Sequence, residues 1–232
     1  LIGTAKRNLS RGLTDVAIFE AGLVFLPSGA TGTDSIPVGA VRPSDKELDA
    51  LNASIPTQPW HVAGLFIGSR VERGVGQDAI GRGIADALDA ATQAVRLAGG
   101  VATIRQATHP AYHPGRFAEI LVGDTVVGIA GELLPSIAQE MDLPRVVAVF
   151  DIDADAVIRL VGDEPHAIAP LSPYPAATQD ISVVVGSEIP AGDVKLALAE
   201  GAGELLEDIR LTDVYAGEGV EEGKRSLTFA LR

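Results

Sequence analysis

The segment His109-Pro110-Ala111-Tyr112-His113-Pro114-Gly115-Arg116 holds two histidines four residues apart, a spacing that would set both imidazoles on one helical face around zinc. Pro110 and Pro114 oppose such a helix, because each removes a backbone donor and crowds the preceding turn. A zinc site without cysteine also needs carboxylate ligands, and Glu119 is the nearby candidate. The segment reads instead as a turn whose histidine and arginine hydrogen-bond to backbone. Gly74-Val75-Gly76-Gln77-Asp78-Ala79-Ile80-Gly81-Arg82-Gly83 has the glycine content of a phosphate-cradling loop, but not the spacing of a dinucleotide fingerprint or the lysine of a Walker loop. It reads as a flexible loop entering a helix. No Gly-x-Ser-x-Gly elbow occurs, and Ser69 and Ser187 have no evident base, so nucleophilic catalysis has no carrier. Asp151 with Asp153, and Glu221 with Glu222, have the chemistry to share a proton or hold a cation. In so acidic a chain they are expected on solvated strand ends and turns. Lys6-Arg7-Asn8-Leu9-Ser10-Arg11 is the densest basic cluster; it suits a phosphate or an acidic partner surface, and equally a solvated helix end.

These groups need elements to position them. Alternation of apolar and polar residues predicts strands at Asp15 to Leu26, Trp60 to Gly68, Ala118 to Val122, Thr125 to Ala130 and Arg145 to Ile152. Gly123-Asp124 suits a tight hairpin turn between two of them, which points to an antiparallel sheet. Ser44-Asp45-Lys46-Glu47 after Pro43 is a capping box that starts a helix reaching about Ala53. Ile80, Ile84, Leu88, Ala91, Val95 and Ala98 recur at helical spacing, and Gly99-Gly100 ends the run. Two shorter helices are expected over Leu133 to Met141 and Asp153 to Leu160. Pro165, Pro170, Pro173 and Pro175 then mark an uncharged, extended connector over residues 165–179. Beyond it, a strand at Ile181 to Val185, a helix at Ala191 to Gly201, and strands at Ile209 to Tyr215 and Lys224 to Leu231 give the order β-α-β-β. A ferredoxin-like unit continues with another helix and strand, so this one reads as incomplete, with Ile181 to Val185 on an open edge.

At 232 residues the chain is long enough for two domains, each with its own core. Hydrophobic residues at 47% and charged ones at 21% describe a globular protein with at most local disorder. Eighteen basic against thirty-one acidic side chains give a net charge of −13, which argues against general nucleic-acid affinity, so any RNA contact is expected to be local. Without cysteine there is no disulfide framework, and a cytoplasmic location fits. The opening Leu1-Ile2-Gly3-Thr4 lacks an initiator methionine and reads as an excised piece with no signal-peptide pattern. Ala50 to Ser69 is uncharged, but Asn52, Pro56, Gln58, Pro59 and His61 would leave polar groups unsatisfied in lipid, so no membrane span is expected.

Three stretches in order carry a resemblance. They are Lys6-Arg7-Asn8-Leu9-Ser10-Arg11-Gly12 with Val16 to Phe25; His113-Pro114-Gly115-Arg116-Phe117-Ala118-Glu119-Ile120 with Gly131-Glu132-Leu133-Leu134-Pro135; and Tyr174-Pro175-Ala176-Ala177-Thr178-Gln179-Asp180-Ile181-Ser182 with Asp213-Val214-Tyr215-Ala216-Gly217. Together they resemble the C-terminal part of the bacterial-type phenylalanyl-tRNA synthetase beta subunit. The resemblance implies an α+β chain: residues 1–164 as an antiparallel sheet with helices, similar to a class II synthetase core but non-catalytic; residues 165–179 as connector; and residues 180–232 as a truncated ferredoxin-fold anticodon-binding domain. It implies an α2β2 holoenzyme that joins phenylalanine to tRNA(Phe). ATP and Mg2+ would be used outside this piece, which itself holds no cofactor, metal or catalytic residue. No Phe-Arg-x-Glu signature for ATP stands around Phe19-Glu20, in keeping with that implication.

Recognition of an anticodon loop combines aromatic or arginine stacking with basic contacts to phosphate. The implied tRNA-binding residues are Tyr174, Gln179, Tyr215, Lys224 and Arg225, although many relatives have arginine where Gln179 stands. The implied alpha-subunit contacts are Lys6, Arg7, Arg11, His113 and Arg116. Each has a plainer alternative. Tyr215, in phase with Ile209 and Leu211, is equally placed to face the core; Tyr174 is placed to clamp the connector; Lys224 and Arg225 stand beside Glu221 and Glu222 for exposed ion pairs. Residues 165–232 carry five Lys or Arg against eleven Asp or Glu, a net of −6, so tRNA binding by this piece is expected to be weak. The competing class is a free-standing, metabolite-binding regulatory module with a ferredoxin-like domain.

Overall fold

The computed structural model describes residues 1–26, 39, 42–162 and 175–232, and its contacts divide the chain into two compact units, Leu1–His166 and Ala167–Arg232. Tyr174 and most of the proline-rich connector lie outside the described residues. Among those residues no helix is long and apolar enough to cross a membrane.

The first unit runs α1 (Ile2–Leu9), β1 (Val16–Leu23), α2 (Asp45–Ser54), β2 (Trp60–Ile67), β3 (Ser69–Val71), β4 (Ile80–Gly81), α3 (Ile84–Leu97), β5 (Ala102–Gln106), β6 (Tyr112–Val122), β7 (Thr125–Leu133), α4 (Pro135–Glu140), β8 (Ala148–Asp153) and α5 (Ala154–Val161). Six strands form one antiparallel sheet in the order β1-β2-β8-β7-β6-β5. The expected hairpin joins β6 to β7 through Gly123, whose φ of 57° suits glycine. On one face α3 buries Ala87, Ala91 and Val95 against Ile120, Ala130, Ala148 and Phe150. Alanines at those positions let the helix axis approach the sheet closely. On the other face Ala5 of α1 and Ala138 of α4 pack with Val16, Leu65, Ile67, Leu133 and Val147.

Several expectations shift in extent. Ile80, expected on the long helix, belongs to β4, and the helix starts at Ile84 under the Gly83 turn. Strand β6 begins at Tyr112, well before Ala118, because a register shift between Tyr112 and Phe117 leaves Pro114 in a stretch without ladder pairing. Strand β5 had no clear alternation, since it is a sheet edge and four of its five residues are exposed.

The second unit runs β9 (Gln179–Gly186), α6 (Ala191–Ala202), β10 (Ile209–Tyr215) and β11 (Lys224–Leu231), with an antiparallel sheet in the order β10-β11-β9. Val194 and Leu198 of α6 cover Leu227, Phe229 and Ile209. The sheet therefore has one helix-covered face and one open face. Strand β9 pairs with β11 alone among the described residues.

Candidate functional site

Phase along β10 decides which side chains reach the open face of the second unit. Ile209 pairs with Leu231 and Leu211 with Phe229, so both share the covered face with buried Phe229. A β-bulge between Leu211 and Asp213 then inserts one residue, Thr212, whose hydroxyl donates to the Thr228 carbonyl at 3.1 Å. After the bulge Asp213 pairs with Thr228 and Tyr215 with Ser226, the face opposite Leu227 and Phe229. Tyr215 consequently stands on the open face, 46% exposed, although in simple alternation with Ile209 and Leu211 it would face the core. Its hydroxyl donates to the Glu218 carbonyl at 3.1 Å, which rests the ring over the following turn. Gly217 makes room there, since a Cβ at that position would lie 2.7 Å from the tyrosine oxygen.

The other sequence-selected residues separate. Lys224 shares the face of Ser226 and Tyr215, and its ammonium lies 2.6 Å from Glu221. Arg225 pairs with Val185 on the covered face and donates to the Ile189 carbonyl at 2.7 Å, so it fastens the turn that leads into α6. Gln179 pairs with Leu231, also in the covered-face phase, at the exposed end of β9. The open face presents three transverse rows, Asp180-Ala230-Arg210, Ser182-Thr228-Asp213 and Val184-Ser226-Tyr215. The Ser182 and Thr228 hydroxyls lie 2.8 Å apart. Arg210 carries no local signal of a role, because its phase is the polar one of an apparently half-buried strand, where an exposed cation is ordinary.

In the first unit the histidine pair is turned away from ligation. Ala111 N–H donates to His109 Nδ1 and Gly115 N–H to His113 Nδ1, each at 3.2 Å. A metal on either Nε2 would leave Nδ1 protonated and facing a backbone donor, so the acceptor role of each Nδ1 in holding its turn opposes ligation. Among the described residues no group of three or more His, Asp or Glu is placed to hold a metal ion. Arg116 donates to Glu132 Oε2 at 2.7 Å, and Glu132 Oε1 accepts from Ile84 N–H at 3.0 Å. Glu132, 6% exposed, is the one buried charged side chain among the described residues. It sat within the Gly131-Glu132-Leu133 motif, and its burial was signalled only by an acid inside an apolar strand. Lys6 pairs with Asp142 at 3.1 Å, Arg7 donates to the Thr4 hydroxyl at 3.1 Å, and Arg11 is exposed.

Across the uncovered part of the six-stranded sheet, register places Glu20, Ala63, Asp151, Ile129, Glu119 and Arg105 in one transverse row on one face. His61 Nδ1 lies 2.7 Å from Asp151 Oδ1, and Arg105 donates to Glu119 at 2.6 Å. A cavity of about 560 Å³ opens here, with Glu20, His61, Ala63, Tyr112 and Asp151 among its walls. Burial, and secondarily the Asp151 charge, hold the Tyr112 phenol above its ordinary pKa. Three carboxylates against one guanidinium leave this row net negative, which sets it against an anionic ligand such as a nucleoside triphosphate.

Comparison with known proteins bears on both units. The family model described as phenylalanyl tRNA synthetase beta chain CLM domain matches residues 1–154, and the one described as ferredoxin-fold anticodon binding domain matches residues 172–232. Among curated relatives, the phenylalanine--tRNA ligase beta subunit of Leifsonia xyli subsp. xyli is 52% identical over 235 residues, covering 100% of this chain and 28% of that protein. The beta subunits of Mycolicibacterium paratuberculosis and Corynebacterium jeikeium are each 44% identical over 100% of this chain, which spans 28% and 27% of their lengths. With one family model covering most of the sequence and the other following it in order, the chain belongs to the phenylalanyl-tRNA synthetase beta-chain family.

Proposed function

We propose that this chain is the scaffolding and tRNA-binding portion of a phenylalanine-tRNA ligase beta subunit, in a holoenzyme that uses ATP to attach phenylalanine to tRNA(Phe). The first unit is a class II synthetase-like domain that supplies docking surface to a catalytic alpha subunit in an α2β2 assembly in the cytoplasm. ATP and Mg2+ act in that partner. Support comes from the row of Glu20, Asp151 and Glu119 across the sheet face, where Arg105 offsets Glu119 alone and the net negative charge opposes the phosphates a synthetase core must hold. The exposed basic groups Lys6, Arg7 and Arg11 at the end of α1 are the docking residues this reading favours. Arg116 and His113 are engaged internally, and their geometry supports a structural part.

The second unit contacts the anticodon loop through its open sheet face. The observation that carries this is the bulge at Thr212, which turns Tyr215 outward beside Lys224. An exposed ring of this kind stacks a splayed base, and alanine substitution of such a platform costs about 1–3 kcal/mol per base. Ser226 and Thr228 form a floor low enough for a base to lie against the sheet.

The test combines the full-length beta subunit with its alpha partner and measures phenylalanine-dependent ATP–pyrophosphate exchange and tRNA(Phe) charging. Activity is expected only with both chains present. Exchange by the beta subunit alone would refute the division of labour, and undiminished tRNA binding by Tyr215→Ala would refute the open-face assignment.

A further inference from the structure

We infer that Arg210 is a phosphate-contacting residue of the RNA surface on the second unit, and that Arg225 is not. This rests on the reading of that unit as an anticodon binder through its open face. The bulge at Thr212 supplies the argument. Arg210 pairs with Ala230 before the bulge and Tyr215 pairs with Ser226 after it, and both partners lie on the open face, alternating with buried Leu227 and Phe229. The inserted residue thus brings an arginine and a tyrosine five positions apart onto one face, where simple alternation would have set them on opposite faces. They stand roughly 15 Å apart along the strand.

Charge and face together single out the same residue, since Lys195, which also forms no ion pair among the described residues, stands on α6 rather than on the sheet. Lys224, at the Tyr215 end, already pairs with Glu221 at 2.6 Å. The Arg225 guanidinium is on the helix-covered side and spends a donor on the Ile189 carbonyl. Arg232 pairs with Glu207 at 3.1 Å. Arg210 is exposed, and among the described residues it forms no ion pair. Its same-face neighbours are Asp213 along β10 and Asp180 across Ala230. These carboxylates rule out a continuous phosphate track, so the contact is a single one. A single-stranded RNA segment whose base stacks on Tyr215 and whose backbone runs along β10 and β11 meets one free cation at the far end, and that cation is Arg210. Its fork of donors suits a phosphate oxygen pair.

The experiment measures tRNA(Phe) affinity against salt concentration for the full-length beta subunit in its assembly with the alpha subunit, comparing wild type with R210Q, R210K, R225Q and Y215A. Loss of one phosphate contact lowers the slope of log K against log salt by about 0.7 to 0.9. R210Q is expected to lose that much slope with an unchanged melting temperature, R210K to keep the slope, and R225Q to keep the slope while melting earlier. An unchanged slope in R210Q, with binding weakened in Y215A, would overturn the assignment of Arg210 alone. Slope lost equally by R225Q would overturn the choice between the two arginines. Unchanged binding in both Y215A and R210Q would overturn the open-face reading on which the inference stands.

Discussion

Removing the Glu132 carboxylate isolates how the first unit fastens its long helix to its sheet. Oε1 takes the Ile84 N–H in the first turn of α3 and Oε2 takes Arg116, at 3.0 and 2.7 Å. Hydrogen bonds to a charged group contribute about 1.5–3 kcal/mol each, and breaking a fully buried pair costs about 3–5 kcal/mol. Arg116 is about half exposed and regains water once released, which removes most of the penalty for a stranded charge. Glu132→Ala is therefore expected to destabilise the unit by about 2–4 kcal/mol. Glu132→Gln keeps an acceptor for Ile84 and loses the ionic part, so about 1–2 kcal/mol is expected. A Cβ added at Gly83 would lie 2.9 Å from Glu132 Oε1, so Gly83→Ala is expected to destabilise the wild type and to cost less in the Glu132→Ala background. Because the chain has two units, the assay is amide exchange at Ile84 and in the first turn of α3, alongside denaturant unfolding. A Glu132→Ala change below about 0.5 kcal/mol, or strict additivity with Gly83→Ala, would refute the reasoning.

Two predictions concern titration. Tyr112 is expected to ionise above the ordinary tyrosine value in an absorbance titration, because burial first and Asp151 second favour its neutral phenol. A raised phenol pKa stabilises the fold below the unfolded value near 10, and that contribution is lost as pH rises through and beyond it. Asp151→Asn should lower the Tyr112 pKa only in part, and a drop to the ordinary value would show that the ranking of causes is wrong. Glu47 is held below its usual value of 4.5, chiefly by the Ser44 hydroxyl and then by the Ser44 backbone N–H. Its support for α2 is complete above the unfolded value and is lost as pH falls through the folded one. Carboxyl NMR titration of Ser44→Ala should show the Glu47 pKa rising towards 4.5, and no movement would contradict the capping geometry.

Legibility in the sequence followed the strength of local signals. The capping box at Ser44 and Glu47 forms as the residue types require, with the Ser44 N–H donating to Glu47 at 2.7 Å. The β-α-β-β order of the second unit was readable because β-branched strands and a glycine-bounded helix alternate at short spacing. Helix α3 was legible in existence but not in start. Ile80 continues the helical period, yet Gly81 and Gly83 interrupt the backbone, and Ile80 instead pairs with Val71. Strand β5 was illegible for a different reason: Thr103, Arg105 and Gln106 need bury nothing at a sheet edge, so no alternation is imposed on them.

The candidate site was legible only as far as phase could be counted. Alternation from Ile209 gives Leu211, Asp213 and Tyr215 one face, and every residue after position 212 is then assigned to the wrong side. At the bulge the Thr212 hydroxyl meets the Thr228 carbonyl across the strand pair, a contact between residues 16 apart that no local pattern encodes. One inserted residue therefore decides whether an aromatic ring fills the core or meets a partner, and whether Arg210 stands beside it. The same dependence explains Arg225. Its neighbours Lys224 and Glu221 suggest a surface cluster, but strand alternation sends consecutive residues to opposite faces, and only Lys224 remains where Tyr215 stands. Adjacency in sequence grouped the two cations; pairing across β11 separates them.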